Sequence, residues 1–189
     1  AAHGYGLPNL GKRGLAEVVS LSFTKVVTGT EGGMILTDDD ELAETATELR
    51  RLSGRMEEIN ALIALESVKG YGYEGSREEY VIRTYKKNIT IPYKCQHIPN
   101  ATNNSVFSIM FEDIVVRDAV RIALAKAGCE TKVYYDPLCA GLPNTDYLYQ
   151  RILSLPIHAG VIEDQPEIIE IINTAGRHAG TPGKAYLTK

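Results

Sequence analysis

Tryptophan is absent from this sequence, cysteine is scarce, and no long hydrophobic run occurs. Cys95, Cys129 and Cys139 are an odd set without a C-x-x-C pair, which argues against a disulfide framework. No apolar run approaches the roughly 20 residues that a membrane-spanning helix needs. We therefore expect a cytoplasmic protein that keeps its thiols reduced and has no membrane segment.

Positively charged residues are also fewer than negatively charged ones, with 20 Lys and Arg against 24 Asp and Glu. The net charge of −4 gives no electrostatic footprint for nucleic acid or for an anionic membrane. His97, His178 and the cysteines lack the spacing of metal ligands, so we assign no metal. With 44% hydrophobic residues in 189, the chain can bury one or two cores.

Hydrophobic patterning predicts two strands followed by three helices in the first part of the chain. A β-branched run from Glu17 to Phe23 predicts a buried strand, and residues 34–37 predict a second. Residues 41–52 form a helical pattern with an acidic start and a basic end. Apolar spacing of three and four residues predicts a further helix over 55–69, and a less apolar one follows over 76–87.

A polar connection containing proline begins near residue 89 and separates this part from a compact α/β unit. That unit is predicted to contain a strand within 106–113, a helix over 116–128, a strand over 129–135 and a helix over 163–176. Gly128 would close the first of these helices, and Pro166 lies in the first turn of the last. We expect two domains, 1–88 and 89–189, and a loose tail after residue 176.

The segment "GYGYEG" at 70–75 has the letters of the dinucleotide-binding fingerprint G-x-G-x-x-G. That fingerprint requires a strand before the glycines and a helix after them, but here a predicted helix precedes them. We interpret the segment as a flexible hinge between two helices.

Lys25 stands in a loop that offers groups for a reactive ligand. It follows a buried run, where desolvation lowers the pKa of an amine and makes it a usable nucleophile for a carbonyl. Ser20 and Thr24 add hydroxyls, and the glycines at 29, 32 and 33 leave room for a backbone to approach a ligand. Such a loop suits an aldehyde-bearing phosphate ester, although a solvated lysine in an ordinary turn fits these residues too.

The segment "SLSFTKVVTGTEGGMILTDDDELAE" aligns without a gap to the pattern S-F-x-x-T-K, T-T-G-E-G-G, V-T-D-D-E-L-A. "AAHGYG", "GRMEEINALIALESVK", "LAKAGCETKVYYDPL" and "RILSLPIHAGVIEDQPEIIEII" match further motifs in the same order. Together they resemble the DegT/StrS family of pyridoxal-phosphate (PLP) sugar aminotransferases. The resemblance covers most of the chain.

The resemblance implies an α/β fold of the PLP-dependent transferase fold type I, with the C-terminal part of the large domain and a small C-terminal α/β domain. It implies transfer of an amino group, usually from glutamate, to a keto group of a nucleotide-linked sugar. Lys25 falls on the lysine that forms a Schiff base with PLP, and Ser20 on the phosphate-binding serine. His3 falls on the residue close to the cofactor ring. Arg55 and Tyr135 fall on positions near the substrate.

The resemblance also marks what this sequence does not contain. The aspartate of the family's D-A-A-H motif would lie before Ala1, and a glycine-rich segment is missing between Ser53 and Arg55. We therefore expect a fragment that binds PLP weakly on its own. The resemblance also implies a homodimer with shared active sites. A non-catalytic or truncated relative that serves as a dimerisation or regulatory module is the alternative.

Overall fold

The computed structural model describes residues 3–7, 14–97 and 104–180, which form two compact units. The first contains the described residues up to Ser76 with Asn104 and Ser105, and the second contains Arg77–His97 and those from Val106 onward. The division falls inside one long helix, whereas the sequence predicts a boundary at residue 88, where that helix ends. The predicted boundary stays a prediction.

An antiparallel hairpin opens the first unit. Strand β1, Glu17–Ser20, pairs with β2, Gly33–Leu36, so that Val19 lies opposite Met34. Val19 is buried, as expected from the alternation of a half-buried strand. The prediction that β1 reaches Phe23 is wrong, because the chain turns after Leu21, where the carbonyl of Ser22 accepts the backbone N–H of Lys25 at 3.0 Å.

Helix α1, Asp40–Ser53, confirms the helix predicted from its charged ends. The Asp39 side chain accepts the backbone N–H of Leu42 at 2.9 Å, which satisfies one of the free donors at the helix start. Asp40 and Glu41 occupy the first turn, and Arg50 and Arg51 occupy the last. These charges complement the helix dipole.

Helix α2 runs without a break over Glu58–Asn88, so the prediction of two helices joined by a hinge is wrong. The G-x-G-x-x-G letters lie inside this helix, which removes the strand–turn–helix context of a dinucleotide site. Both ends of the helix carry buried residues, Ala64 in the first unit and Tyr85 in the second. Tertiary packing of these ends outweighs the low helix propensity of the intervening glycines.

Replacing Gly70 with alanine should stabilise the protein, because Gly70 lies in the interior of α2. A Cβ built at Gly70 would meet no atom within 4 Å, and alanine favours a helix over glycine by about 1 kcal/mol. We expect the free energy of unfolding in a denaturant titration to rise by about 0.5–1 kcal/mol. A decrease would show that Gly70 works as a hinge and not as part of a continuous helix.

A three-stranded antiparallel sheet is the centre of the second unit. Its order is β3-β4-β5, with β3 at Lys94–Cys95, β4 at Phe107–Met110 and β5 at Ile152–Leu155. The strand predicted over 129–135 is reduced to a single bridge between Lys132 and Ser154. Sequence patterning also misses β3, which is only two residues long.

Three helices complete the second unit: α3 at Ile114–Lys126, α4 at Pro143–Tyr149 and α5 at Gln165–Gly180. The predicted closure of α3 is confirmed, since Gly128 has φ +79° and the N–H of Cys129 bonds the carbonyl of Leu124 at 2.9 Å. Tyr85, Ile109, Val120, Leu153 and Ile172 are fully buried and fill the core. No helix in the described ranges has the length and apolar character to cross a membrane.

Candidate active site

Lys25 and His3 lie together in the first unit, although they are 22 residues apart in the sequence. The Nζ atom of Lys25 is 3.2 Å from Nε2 of His3, which is hydrogen-bonding distance. Lys25 is half-buried in the turn that follows β1, and His3 is exposed. The two residues that the resemblance places nearest the cofactor are therefore neighbours.

The environment keeps the His3 ring neutral. Partial desolvation and, second, the positive charge of Lys25 lower the pKa of His3 below its ordinary value. A neutral imidazole has one ring nitrogen free to accept, so Nε2 can accept a hydrogen bond from Lys25 Nζ. The pair thus combines a nitrogen donor with a nitrogen acceptor at one place.

Two hydroxyl groups stand where β1 ends. The Ser20 Oγ accepts the backbone N–H of Ser22 at 3.4 Å, and it lies 3.4 Å from the Ser22 Oγ. Both side chains are half-buried, whereas Thr24 is exposed. Hydroxyl groups at the end of a strand can donate hydrogen bonds to an oxyanion such as a phosphate.

The glycines after Lys25 lie in close contact with neighbouring parts of the chain. A Cβ at Gly29 would lie 2.7 Å from the backbone oxygen of Asn60, and one at Gly32 would lie 2.6 Å from Met56 Sδ. A Cβ at Gly33 would lie 2.9 Å from the backbone oxygen of Val19. Protein atoms of α2, of β1 and of Met56, which precedes α2, occupy the space that a side chain would need at these positions.

Polar residues of α2 fix this loop, and sequence reasoning missed them. Asn60 donates through Nδ2 to the Gly29 carbonyl at 2.7 Å and to Thr30 Oγ1 at 2.6 Å. The Ser67 Oγ accepts the backbone N–H of Thr28 at 3.0 Å. Asn60 and Ser67 are seven residues apart, so they share one helix face. That spacing within a predicted helix was the signal available in the sequence.

The remaining predicted site residues are surface side chains. Arg55 is exposed just before α2, and it makes no ion pair with the described residues. Tyr135 is 76% exposed in the second unit. Its neighbour Asp136 accepts a hydrogen bond from the Tyr149 hydroxyl. Within the described parts of the chain, no three His, Cys, Asp or Glu side chains are grouped to hold a metal ion.

The sequence of this chain matches a known protein family. A model of the DegT/DnrJ/EryC1/StrS aminotransferase family matches residues 1–173. Among curated proteins, the uncharacterized protein MJ1066 of Methanocaldococcus jannaschii is 25% identical over 222 residues, which cover 92% of this chain and 57% of that protein. Because 222 exceeds 189, the relative has segments in this region that this chain lacks.

Solved structures agree with this match. The structure of DesI in the presence of its TDP-sugar product has a TM-score of 0.79 at 25% identity, covering 95% of this chain and 55% of DesI. A DegT DnrJ EryC1 StrS aminotransferase from Brucella abortus has a TM-score of 0.72 at 26% identity, covering 88% and 52%. These neighbours confirm the predicted fold class. The chain spans about half the length of the proteins it matches.

Proposed function

This chain belongs to the DegT/DnrJ/EryC1/StrS aminotransferase family, and from that premise we propose that Lys25 is the PLP-binding lysine of a sugar aminotransferase. The reaction moves an amino group from glutamate to a keto group of a nucleotide-linked sugar. The observation that carries this proposal is the 3.2 Å separation of Lys25 Nζ from His3 Nε2. Its test is a half-reaction with glutamate of the PLP-loaded, full-length protein that contains this chain, in which the PLP absorbance should be replaced by that of the amine form.

The donor set around Lys25 fits PLP. An amine suits the cofactor's aldehyde, and the hydroxyls of Ser20 and Ser22 suit its phosphate oxygens. When bound, PLP supplies an electron-withdrawing ring that stabilises negative charge on the substrate carbon. Ser20 would anchor the phosphate, and Lys25 would hold the aldehyde end, so the two residues together would fix the ligand's orientation.

Lys25 and His3 divide the proton chemistry between them. As a free amine, Lys25 Nζ can accept a proton from the substrate carbon and then donate it at a second position. His3 Nε2 lies 3.2 Å from Nζ, and as a hydrogen-bond acceptor it would orient the amine. The lowered pKa of His3, caused by desolvation and then by the Lys25 charge, favours the neutral ring that can act as this acceptor.

Substrate binding is proposed for Arg55 and Tyr135. An exposed guanidinium can bind a carboxylate or a phosphate through two parallel hydrogen bonds, and both groups occur on the proposed substrates. Tyr135 offers a phenol and an aromatic face that suit a sugar nucleotide. Their exposure supports these roles, because neither side chain is committed to a core.

We further propose a cytoplasmic homodimer with shared active sites. Val18 and Ile35 lie opposite each other in the hairpin register and are 61% and 54% exposed. An apolar pair of this kind on one sheet face favours coverage by further polypeptide. Cys95, Cys129 and Cys139 are free thiols, which supports a reducing compartment.

Replacing Ser20 with alanine should weaken PLP binding by about 1–2 kcal/mol, the scale of a lost hydrogen bond to a charged group. Activity should recover at high PLP concentration, because only affinity is reduced. The measurement is a PLP titration followed by absorbance. Ser53→Ala is the matched control, since that hydroxyl bonds only its own helix, at the Leu49 carbonyl. Equal affinity in Ser20→Ala and native protein would reduce Ser20 to an ordinary strand residue.

A further inference from the structure

Tyr71 of α2 lies against the short segment that carries His3. Its hydroxyl donates to the Tyr5 carbonyl at 3.0 Å, and the two rings meet edge to face with centroids 5.1 Å apart. Both tyrosines pack against the core formed by Leu21 and Val27. An edge-to-face pair with a hydrogen bond fixes both the distance and the angle between the helix and the segment.

The turn that follows His3 is shaped to receive this tyrosine. The backbone N–H of Leu7 bonds the Gly4 carbonyl at 3.1 Å, and Gly6 has φ +81°, which only glycine adopts freely. A Cβ at Gly6 would lie 2.2–2.4 Å from the hydroxyl and ring of Tyr71. The turn therefore requires glycine both for its backbone angle and for the close approach of Tyr71.

One face of α2 contacts both sides of the candidate site. Asn60, Ser67 and Tyr71 are spaced by seven and four residues, so they form a single stripe along the helix. Asn60 and Ser67 bind the loop that follows Lys25, and Tyr71 binds the segment that begins with His3. The helix thereby sets the separation of two residues that are distant in sequence.

We propose that Tyr71 is a positioning residue, which holds residues 3–7 so that His3 Nε2 stays within hydrogen-bonding distance of Lys25 Nζ. This inference rests on the proposed function, because the distance between His3 and Lys25 matters for activity only if Lys25 is the PLP-binding lysine. It also gives the G-Y-G-Y-E-G segment a role that is neither a nucleotide fingerprint nor a hinge. Without the phenol, the turn at Gly4–Leu7 would lose its hydrogen bond to α2, and His3 would be held less firmly near Lys25.

The test uses the PLP-free protein with Tyr71→Phe, which removes the hydrogen bond, and Tyr71→Ala, which also removes the ring. Hydrogen exchange at the Leu7 amide should accelerate about five- to tenfold in Tyr71→Phe, and more in Tyr71→Ala. NMR titration should show the His3 midpoint rising in Tyr71→Ala toward 6.5, because desolvation and the Lys25 charge no longer act on the ring. Tyr80→Phe is the control, since Tyr80 is exposed on the same helix.

A merely structural role for Tyr71 would lower the melting temperature but leave the His3 midpoint and the relative exchange of Leu7 unchanged, and that outcome would overturn the proposal. If Tyr71→Ala does not fold, Gly6→Ala disturbs the same contact from the other side and should give the same rise in the His3 midpoint. An unchanged midpoint there would contradict the proposal equally. Failure of PLP to attach to Lys25 would refute the proposed function without altering these cofactor-free readouts.

Discussion

Replacing Lys25 with alanine is expected to abolish amino-group transfer, lowering the rate of the glutamate half-reaction by at least about a thousandfold. Lys25 Nζ is asked both to hold PLP and to move a proton, and a positioned acid–base group alone contributes about 10²–10⁴ in rate. The fold should survive, because the Lys25 backbone bond to Ser22 does not need the side chain. Circular dichroism and the melting temperature would confirm this.

Two further variants sharpen that experiment. Lys25→Arg keeps the positive charge but replaces the amine with a guanidinium that does not lose its proton, so it should be as inactive as Lys25→Ala. Lys69→Ala removes an exposed lysine that pairs with Glu66 on α2 and should leave the rate unchanged. Substantial turnover by Lys25→Ala would reject Lys25 as the PLP lysine, whereas absence of turnover in the native protein as well would favour the alternative of a non-catalytic module.

Replacing Gly29 with alanine is expected to destabilise the PLP-free protein by about 1–3 kcal/mol, the usual cost of overpacking a filled site. The new Cβ would meet the Asn60 backbone oxygen at 2.7 Å and Met56 Cε at 3.0 Å. The backbone oxygen cannot rotate away, so α2 or the loop must shift. That shift would also disturb the hydrogen bond from Asn60 Nδ2 to the Gly29 carbonyl. A denaturant titration measures the loss.

This variant separates two explanations for the glycines. If Gly29 serves a bound ligand, Gly29→Ala should leave the PLP-free protein as stable as the native one and reduce only PLP affinity. If Gly29 serves packing against α2, the loss of stability appears without any cofactor. Gly70→Ala provides the matched control, because that glycine has open space around it and the same substitution there should stabilise.

Local rules predict α1 and α3 well because both helices carry their own signals. Charged ends mark α1, and Gly128 in a left-handed conformation ends α3. The same rules fail at Gly70, because α2 continues through the glycines, with buried residues on either side of them. Propensity describes a short window, whereas the continuity of α2 depends on packing many residues away.

The residues of the candidate site also differ in whether the sequence could predict them. Ser20 and Lys25 could be predicted because they lie in one continuous motif. The placement of His3 came only from resemblance to a family, since no local rule joins residues that are 22 positions apart. The seven-residue spacing of Asn60 and Ser67 was visible in the sequence, but the segments that Asn60 and Tyr71 contact could not be predicted, because they depend on which face of α2 packs against the loop and the N-terminal segment.

The central claim is that Lys25 is the residue to which PLP attaches. Its most direct test is to incubate the native protein with PLP, reduce it with borohydride, digest it and locate the modified lysine by mass spectrometry. We expect the PLP adduct on the peptide containing Lys25, at limiting PLP and in preference to exposed lysines such as Lys69. An adduct concentrated on another lysine, or spread evenly over the exposed ones, would contradict it.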